Sequence, residues 1–225
     1  MRRLAGGAEP KYAARHGSTM TTTRRRLLAG AGAAGAAALA GCSGTPGSSG
    51  GSGGNRVESM PQPTAGPEDA PVTIQVWEDF ACPHCRTFSL QVLPNVMAQF
   101  VEPGDARYVH HDFPIPVNER WSWDVAFAAR HVQREADSAA FFAFAKAAYR
   151  NQGSFSMDLL GSLASDRGVE GVSSAVGDER YRPVVEADRQ RGSDAGLRGT
   201  PFVLVNGEAV DPSFEGIRGA VQASL

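Results

Sequence analysis

The chain has 225 residues, with 22 basic and 24 acidic side chains and a formal net charge of −2. That balance conceals a division: residues 1–41 carry seven Lys or Arg and one acid, and the remainder carries 15 basic and 23 acidic residues, a net of −8. An acidic body holding a single lysine, Lys146, lacks the clustered cations that grip phosphate backbones, which excludes nucleic acid as a partner.

Thr23-Arg24-Arg25-Arg26-Leu27-Leu28 opens a basic-then-apolar segment whose apolar part, Leu27 to Ala40, is mostly Ala and Gly. A membrane-spanning helix needs about 20 predominantly apolar residues, so this stretch reads as the core of a signal segment over 1–41. Its paired arginines resemble a twin-arginine export signal. Met20 would place them near the start of the leader, which makes residues 1–19 an upstream extension. Leu39-Ala40-Gly41-Cys42 resembles a lipoprotein signal box. That resemblance implies lipidation of Cys42, where two acyl chains would anchor the chain to the membrane as one alone would not. Residues 42–67 are rich in Gly, Ser and Pro, cannot bury apolar area, and read as a flexible tether. One folded domain is expected over 68–225, long enough for a single core.

Val72-Thr73-Ile74-Gln75-Val76-Trp77 is a β-branched run of strand type. Cys82-Pro83-His84-Cys85 follows, and Arg86 to Phe100 has apolar residues at helical spacing, with a kink expected at Pro94. Pro83 suits the first helical position, where its missing N–H costs nothing. Cys82 is then the N-cap, beside free backbone N–H groups and the positive end of the helix dipole. Both favour thiolate, the nucleophilic form. Cys85, one turn deeper, is placed to close a redox disulfide with Cys82 and to resolve a mixed disulfide formed on it. A partly cationic His84 would stabilise the reduced Cys82 and make that disulfide more oxidising.

Zinc is the competing use of a C-x-x-C pair, but a structural site needs two more ligands. The only other cysteine is Cys42, and His110 and His111, as strand neighbours, point to opposite faces. No metal and no cofactor are expected. A structural loop disulfide fits the strand-loop-helix context less well than redox use.

Further along, Arg107 to Phe113 reads as a strand. Trp121 to Tyr149 reads as an Ala- and Phe-rich helix, with shorter helices at Met157–Asp166 and Pro183–Ala195. Val203-Leu204-Val205 and Glu208-Ala209-Val210 flank Asn206-Gly207, a two-residue hairpin turn. A closing helix is expected from about Ser213 to Ala223.

Four features together resemble the DsbA-like branch of the thioredoxin superfamily over roughly 68–224. They are Pro71-Val72-Thr73-Ile74 leading into Asp79-Phe80-Ala81-Cys82-Pro83-His84-Cys85; Leu93-Pro94; Arg107-Tyr108-Val109-His110-His111-Asp112-Phe113-Pro114; and Gly199-Thr200-Pro201-Phe202-Val203. The resemblance implies an α/β, thioredoxin-like fold with a helical insertion over about 119–196. It makes Pro201 a cis proline facing the cysteine pair, with Thr200 and Pro201 holding substrate by strand addition. It implies a thiol–disulfide oxidoreductase that oxidises exported proteins with free thiols, served by a membrane quinone-linked reoxidant. Two alternatives stay open: a surface reductase or isomerase fed by a membrane thiol carrier, and a non-catalytic lipid-anchored binding or chaperone module. The sequence departs from the branch at one point. The buried acid that it carries six residues before the first cysteine is replaced by Val76, with Glu78 and Asp79 as possible substitutes.

Overall fold

The computed structural model describes residues 56–115 and 117–225. The leader, Cys42 and most of the expected tether lie outside the described residues. Five strands form one sheet in the order β1-β3-β2-β4-β5: β1 (Thr64–Ala65), β2 (Val72–Glu78), β3 (Ala106–Asp112), β4 (Phe202–Val205) and β5 (Glu208–Val210). Only β2 and β3 run parallel, which requires a crossover between them. Helix α1, a continuous stretch over 83–101, supplies it.

α1 combines α-helical turns at Pro83–Thr87 and Leu93–Val96 with wider π-turns at Phe88–Val92 and Met97–Val101. The expected break at Pro94 is met by this widening. Proline has no N–H to give and its ring crowds the carbonyl one turn back. In the turn just before it, the Leu93 N–H reaches back to the Phe88 carbonyl, five residues away.

Between β3 and β4 lie α2 (Glu119–Glu135), α3 (Ser138–Arg150), α4 (Met157–Ser165), α5 (Val172–Gly177) and α6 (Arg182–Asp194). The single helix expected from Trp121 to Tyr149 is therefore two. Asp137 interrupts it by capping α3, its carboxylate accepting from Ala140 N at 2.7 Å. The turn at Asn206-Gly207 has φ of 48° and 89°, as a tight hairpin requires. α7 (Phe214–Ser224) closes the domain, capped by the Ser213 side chain.

The domain begins earlier than residue 68. Residues 56–65 form a strap over the insert and the sheet edge. Val57 N donates to Arg180 O, His110 N to Pro63 O, and β1 pairs with β3. Gly66 then turns the chain at φ +89°, so close to Ala106 O that a Cβ would meet it at 2.6 Å. The expected tether ends too late because this strap is held mainly by backbone and amide groups, and its few apolar anchors, Val57 and Met60 against the core of the insert, are too sparse to make a hydrophobic pattern.

One apolar cluster fills the space between the sheet, α1 and α7, with Val72, Ile74, Val76, Phe88 and Ile217 at its centre. A second joins the insert to the active-site end of the sheet and includes Phe80, Cys82, Cys85, Phe141 and Tyr149. Between strap, insert and sheet, Arg130 is fully buried. It donates to Asp112 at 2.6 Å, Asp188 at 2.5 Å, Gln133 at 3.0 Å and the Gln62 oxygen at 2.9 Å. Among the described residues no helix is long and apolar enough to cross a membrane.

Candidate active site

β2 ends at Glu78, and Asp79 shapes the loop that follows. Its carboxylate accepts from Ala81 N and from Ile115 N, both at 2.7 Å, joining the loop to the exit of β3. Burial, set against those bonds, raises the Asp79 pKa to about 6. Gln152, at the end of α3, donates to Phe80 O at 2.8 Å and Cys82 O at 2.9 Å, pinning the loop from the insert side. Nothing in its sequence context singles Gln152 out, since its role depends on the insert folding back over the loop.

Cys82 occupies the N-cap of α1 in extended conformation, with Pro83 at the first helical position. Its side chain is 3% exposed, and Cys85 is fully buried. Both are free thiols here, the reduced form of the pair. Across from them the Thr200–Pro201 peptide is cis. The Cys82 Sγ stands 3.5 Å from Thr200 O. The sequence-distant cysteine and cis-proline motifs therefore meet at one sulfur.

The two sulfurs are electrostatically unlike. The Cys85 thiol, hydrogen-bonding to Cys82, is the main cause that brings the Cys82 pKa from 9.0 to about 5. Burial opposes it, and the Thr200 side chain and the N–H groups of Cys85 and His84 assist. Cys82 makes no capping hydrogen bond of regular geometry, so these amides act as nearby dipoles. Burial, donation to Cys82 and the charge of Glu78 push the Cys85 thiol well above its ordinary value. The His84 side chain is exposed, and position 84 acts on the thiolate through its backbone N–H. The Thr200 hydroxyl is buried without a hydrogen-bond partner, which leaves it free to turn to the thiolate.

Val76 leaves a gap in the expected acid position, and Glu78 lies on the same face of β2, two residues on. Glu78 is 2% exposed, accepts from Ser89 Oγ at 2.6 Å, and stands 3.4 Å from both Tyr108 Oη and His110 Nδ1. Burial works against a charged His110, but Asp112 and Glu78 outweigh it and hold the His110 pKa at about 9. His111 faces the other side and stacks on Trp77 at 4.2 Å.

A dithiol at a helix start, backed by a buried acid and facing a cis-proline loop, defines a redox protein of thioredoxin fold with a helical insert. The chain belongs to the thioredoxin family: residues 58–223 match the family model described as Thioredoxin. It is 27% identical over 173 residues to the probable disulfide bond formation protein D of Bacillus cereus, covering 73% of this chain and 79% of that protein. It is 25% identical over 174 residues to disulfide bond formation protein D of Bacillus subtilis, covering 73% and 77%. Oxidised BdbD from Bacillus subtilis is similar in structure, with a TM-score of 0.68 at 22% identity over 76% of this chain and 98% of that one. Chlamydia trachomatis DsbA follows, at 0.63 and 20% over 72% and 89%.

Proposed function

We propose that this chain is a thiol–disulfide oxidoreductase that oxidises the thiols of exported proteins. The observation that carries the reading is the opposite perturbation of the two sulfurs, Cys82 toward thiolate and Cys85 toward thiol. A pair that holds its reduced form as a stabilised thiolate has a strongly oxidising disulfide. The name of the Bacillus relatives, disulfide bond formation protein D, supports the same direction.

In the forward reaction a substrate thiolate attacks Cys82 Sγ of the Cys82–Cys85 disulfide. The new bond joins substrate to Cys82 as the old one breaks, and Cys85 departs with the electron pair and takes up a proton. A second substrate thiolate then attacks the substrate sulfur of the mixed disulfide. Cys82 leaves as the thiolate, and the substrate has lost two electrons to the pair. Thr200 and Pro201 line up the substrate backbone beside Cys82. Reoxidation falls to a membrane quinone-linked partner, which takes the two electrons; a membrane thiol carrier would serve the opposite, reductase direction. Lipidation of Cys42 at the end of an export signal would hold the domain at the outer face of the cytoplasmic membrane.

The deciding experiment is the reduction potential of the purified protein. A value near about −120 mV, that of DsbA, is expected, and one near about −270 mV, that of thioredoxin, overturns the oxidase assignment. Cys82→Ser should abolish exchange, and Cys85→Ser should accumulate mixed disulfides with substrates. Activity intact in Cys82→Ser would mean a binding module. Acyl labelling that survives Cys42→Ala would remove the anchor.

A further inference from the structure

Two separate grooves reach the Cys82-Pro83-His84-Cys85 turn, and they share no residue. One runs from the cis-proline loop to His84 along Thr87, Phe88 and Val92. The other comes from the insert, walled by Trp121, Phe155 and Val117 with Gln152 on its lining, and reaches Ala81 and Pro83, the two neighbours of Cys82. The reading of Cys82 as the attacked sulfur accounts for the first groove through Thr200 and Pro201. It leaves the second without a role.

We propose that the insert-side groove is a substrate subsite that takes a large, uncharged apolar side chain within one or two residues of the substrate cysteine. This rests on the exchange reaction given above and adds a preference to it. Because Cys82 is only 3% exposed, an incoming sulfur must descend between the grooves, and the residues beside it are carried into both. Successive residues of an extended chain are about 3.3–3.6 Å apart, so only the nearest neighbours of the cysteine fall beside Ala81 and Pro83.

The walls define the occupant. Trp121 and Phe155 are both half-buried, with ring centroids 5.9 Å apart, and offer an aromatic surface beside the reactive turn. The start of α2 fixes Trp121, since the Asn118 side chain accepts from Trp121 N at 3.1 Å. Val117 and Leu225 are the large apolar residues left exposed among the described residues, and Val117, half exposed, lies on this rim. No lining residue is charged. Arg120, which stacks over Trp121 at 4.5 Å, is already paired with Asp124 at 3.1 Å. The polar part of the lining consists of uncharged amides, Asn118 and Gln152, with Gly153 beside them, so a charged side chain entering the groove would lose water without gaining an opposite charge, whereas a large apolar one would cover the rings.

The test uses the oxidised protein and single-cysteine peptides differing only in the residue beside cysteine: Phe, Ala or Asp. The readout is the second-order rate constant for mixed-disulfide formation. The Phe peptide should react roughly tenfold faster than the Ala peptide, the factor expected from partly burying one large side chain, and the Asp peptide slower than both. Trp121→Ala should bring the Phe-to-Ala ratio close to one. Val117→Asp, at an exposed site that does not threaten folding, should lower the same ratio independently. Equal rates for Phe and Ala peptides in the wild type overturn the subsite, as does a ratio unchanged in both variants. A protein that reacts with none of the peptides, and not with a small dithiol either, fails at the exchange reaction itself, and the subsite falls with it.

Discussion

Replacing Thr200 with valine isolates one contribution to the active thiolate. The swap keeps the shape of the side chain and deletes only the hydroxyl, which is buried and has no hydrogen-bond partner of its own. Turned toward the Cys82 thiolate, that hydroxyl helps the Cys85 thiol hold the Cys82 pKa down at about 5. A hydrogen bond to a charged group contributes about 1.5–3 kcal/mol, or roughly one to two pKa units. Thr200→Val should therefore raise the Cys82 pKa to roughly 6–7. At pH 7 the reduced form then loses part of its thiolate stabilisation, and the potential falls by roughly 30–50 mV. Cys85, held well above its ordinary value, stays protonated at pH 7 and adds nothing to the change. In the wild type the Cys82 pKa is depressed, so thiolate stabilisation sets in above about 5 and is absent below it. The potential should fall by roughly 60 mV per pH unit below that point and roughly 30 mV above it, and in Thr200→Val the bend should move up with the pKa. Ultraviolet thiolate titration and equilibration against glutathione measure both quantities. A Thr200→Val protein with an unmoved titration and an unmoved bend would refute the hydroxyl as a thiolate donor.

His84→Ser keeps the backbone N–H and removes the imidazole. It should raise the Cys82 pKa by less than Thr200→Val does, and a larger rise in the same titration would restore the cationic side chain as the principal cause. Glu78→Gln removes a negative charge that, after burial and the bond to Cys82, lifts Cys85, so the Cys85 pKa should drop, readable from its Cβ carbon shift against pH. Arg130→Met leaves Asp112 and Asp188 buried without their guanidinium, a loss of about 3–5 kcal/mol, or roughly 6–20 °C in Tm for a domain of this size. Burial alone would raise the Asp112 carboxyl, yet Arg130, with His110, brings it to about 2. Its stabilisation is therefore complete above pH 4 and is lost as pH falls toward 2, so the gap between wild type and Arg130→Met should narrow on acidification. Gln62→Leu removes hydrogen bonds to Arg130 and Asp188 and should lower Tm by a smaller amount in the same melts.

The placement of the two sulfurs is legible because it rests on local rules. A β-branched run, a proline after Cys82 and a helical pattern beyond it place the sulfur at a helix start, and Asn206-Gly207 fixes the hairpin that follows Pro201. What escaped depends on tertiary contact. Arg130 shares its helix with Arg120 and Arg134, where an arginine reads as a solvent-facing charge, and its burial follows from two distant aspartates and a glutamine of the strap. Gln62 belongs to a Pro-rich stretch with no periodicity, so its attachment leaves no trace in pattern. The acid at Glu78 was visible as a residue, but its burial follows from Ser89, Tyr108 and His110 arriving from two other elements.

These hidden parts form one chain of contacts behind the redox pair. Glu78 pairs with His110, His110 with Asp112, Asp112 with Arg130, and Arg130 with Asp188 and Gln62. Each charge is almost fully buried, so its stability depends on its neighbour being present, and removal of one leaves the next unpaired. The strap closes the far end of this chain, and Glu78 at the near end adds its charge to the burial and the Cys82 bond that hold the proton on Cys85. A domain trimmed at residue 68, where composition alone would begin it, loses Gln62 and its two hydrogen bonds, and leaves Arg130 and Asp188 short of a partner beneath the active site.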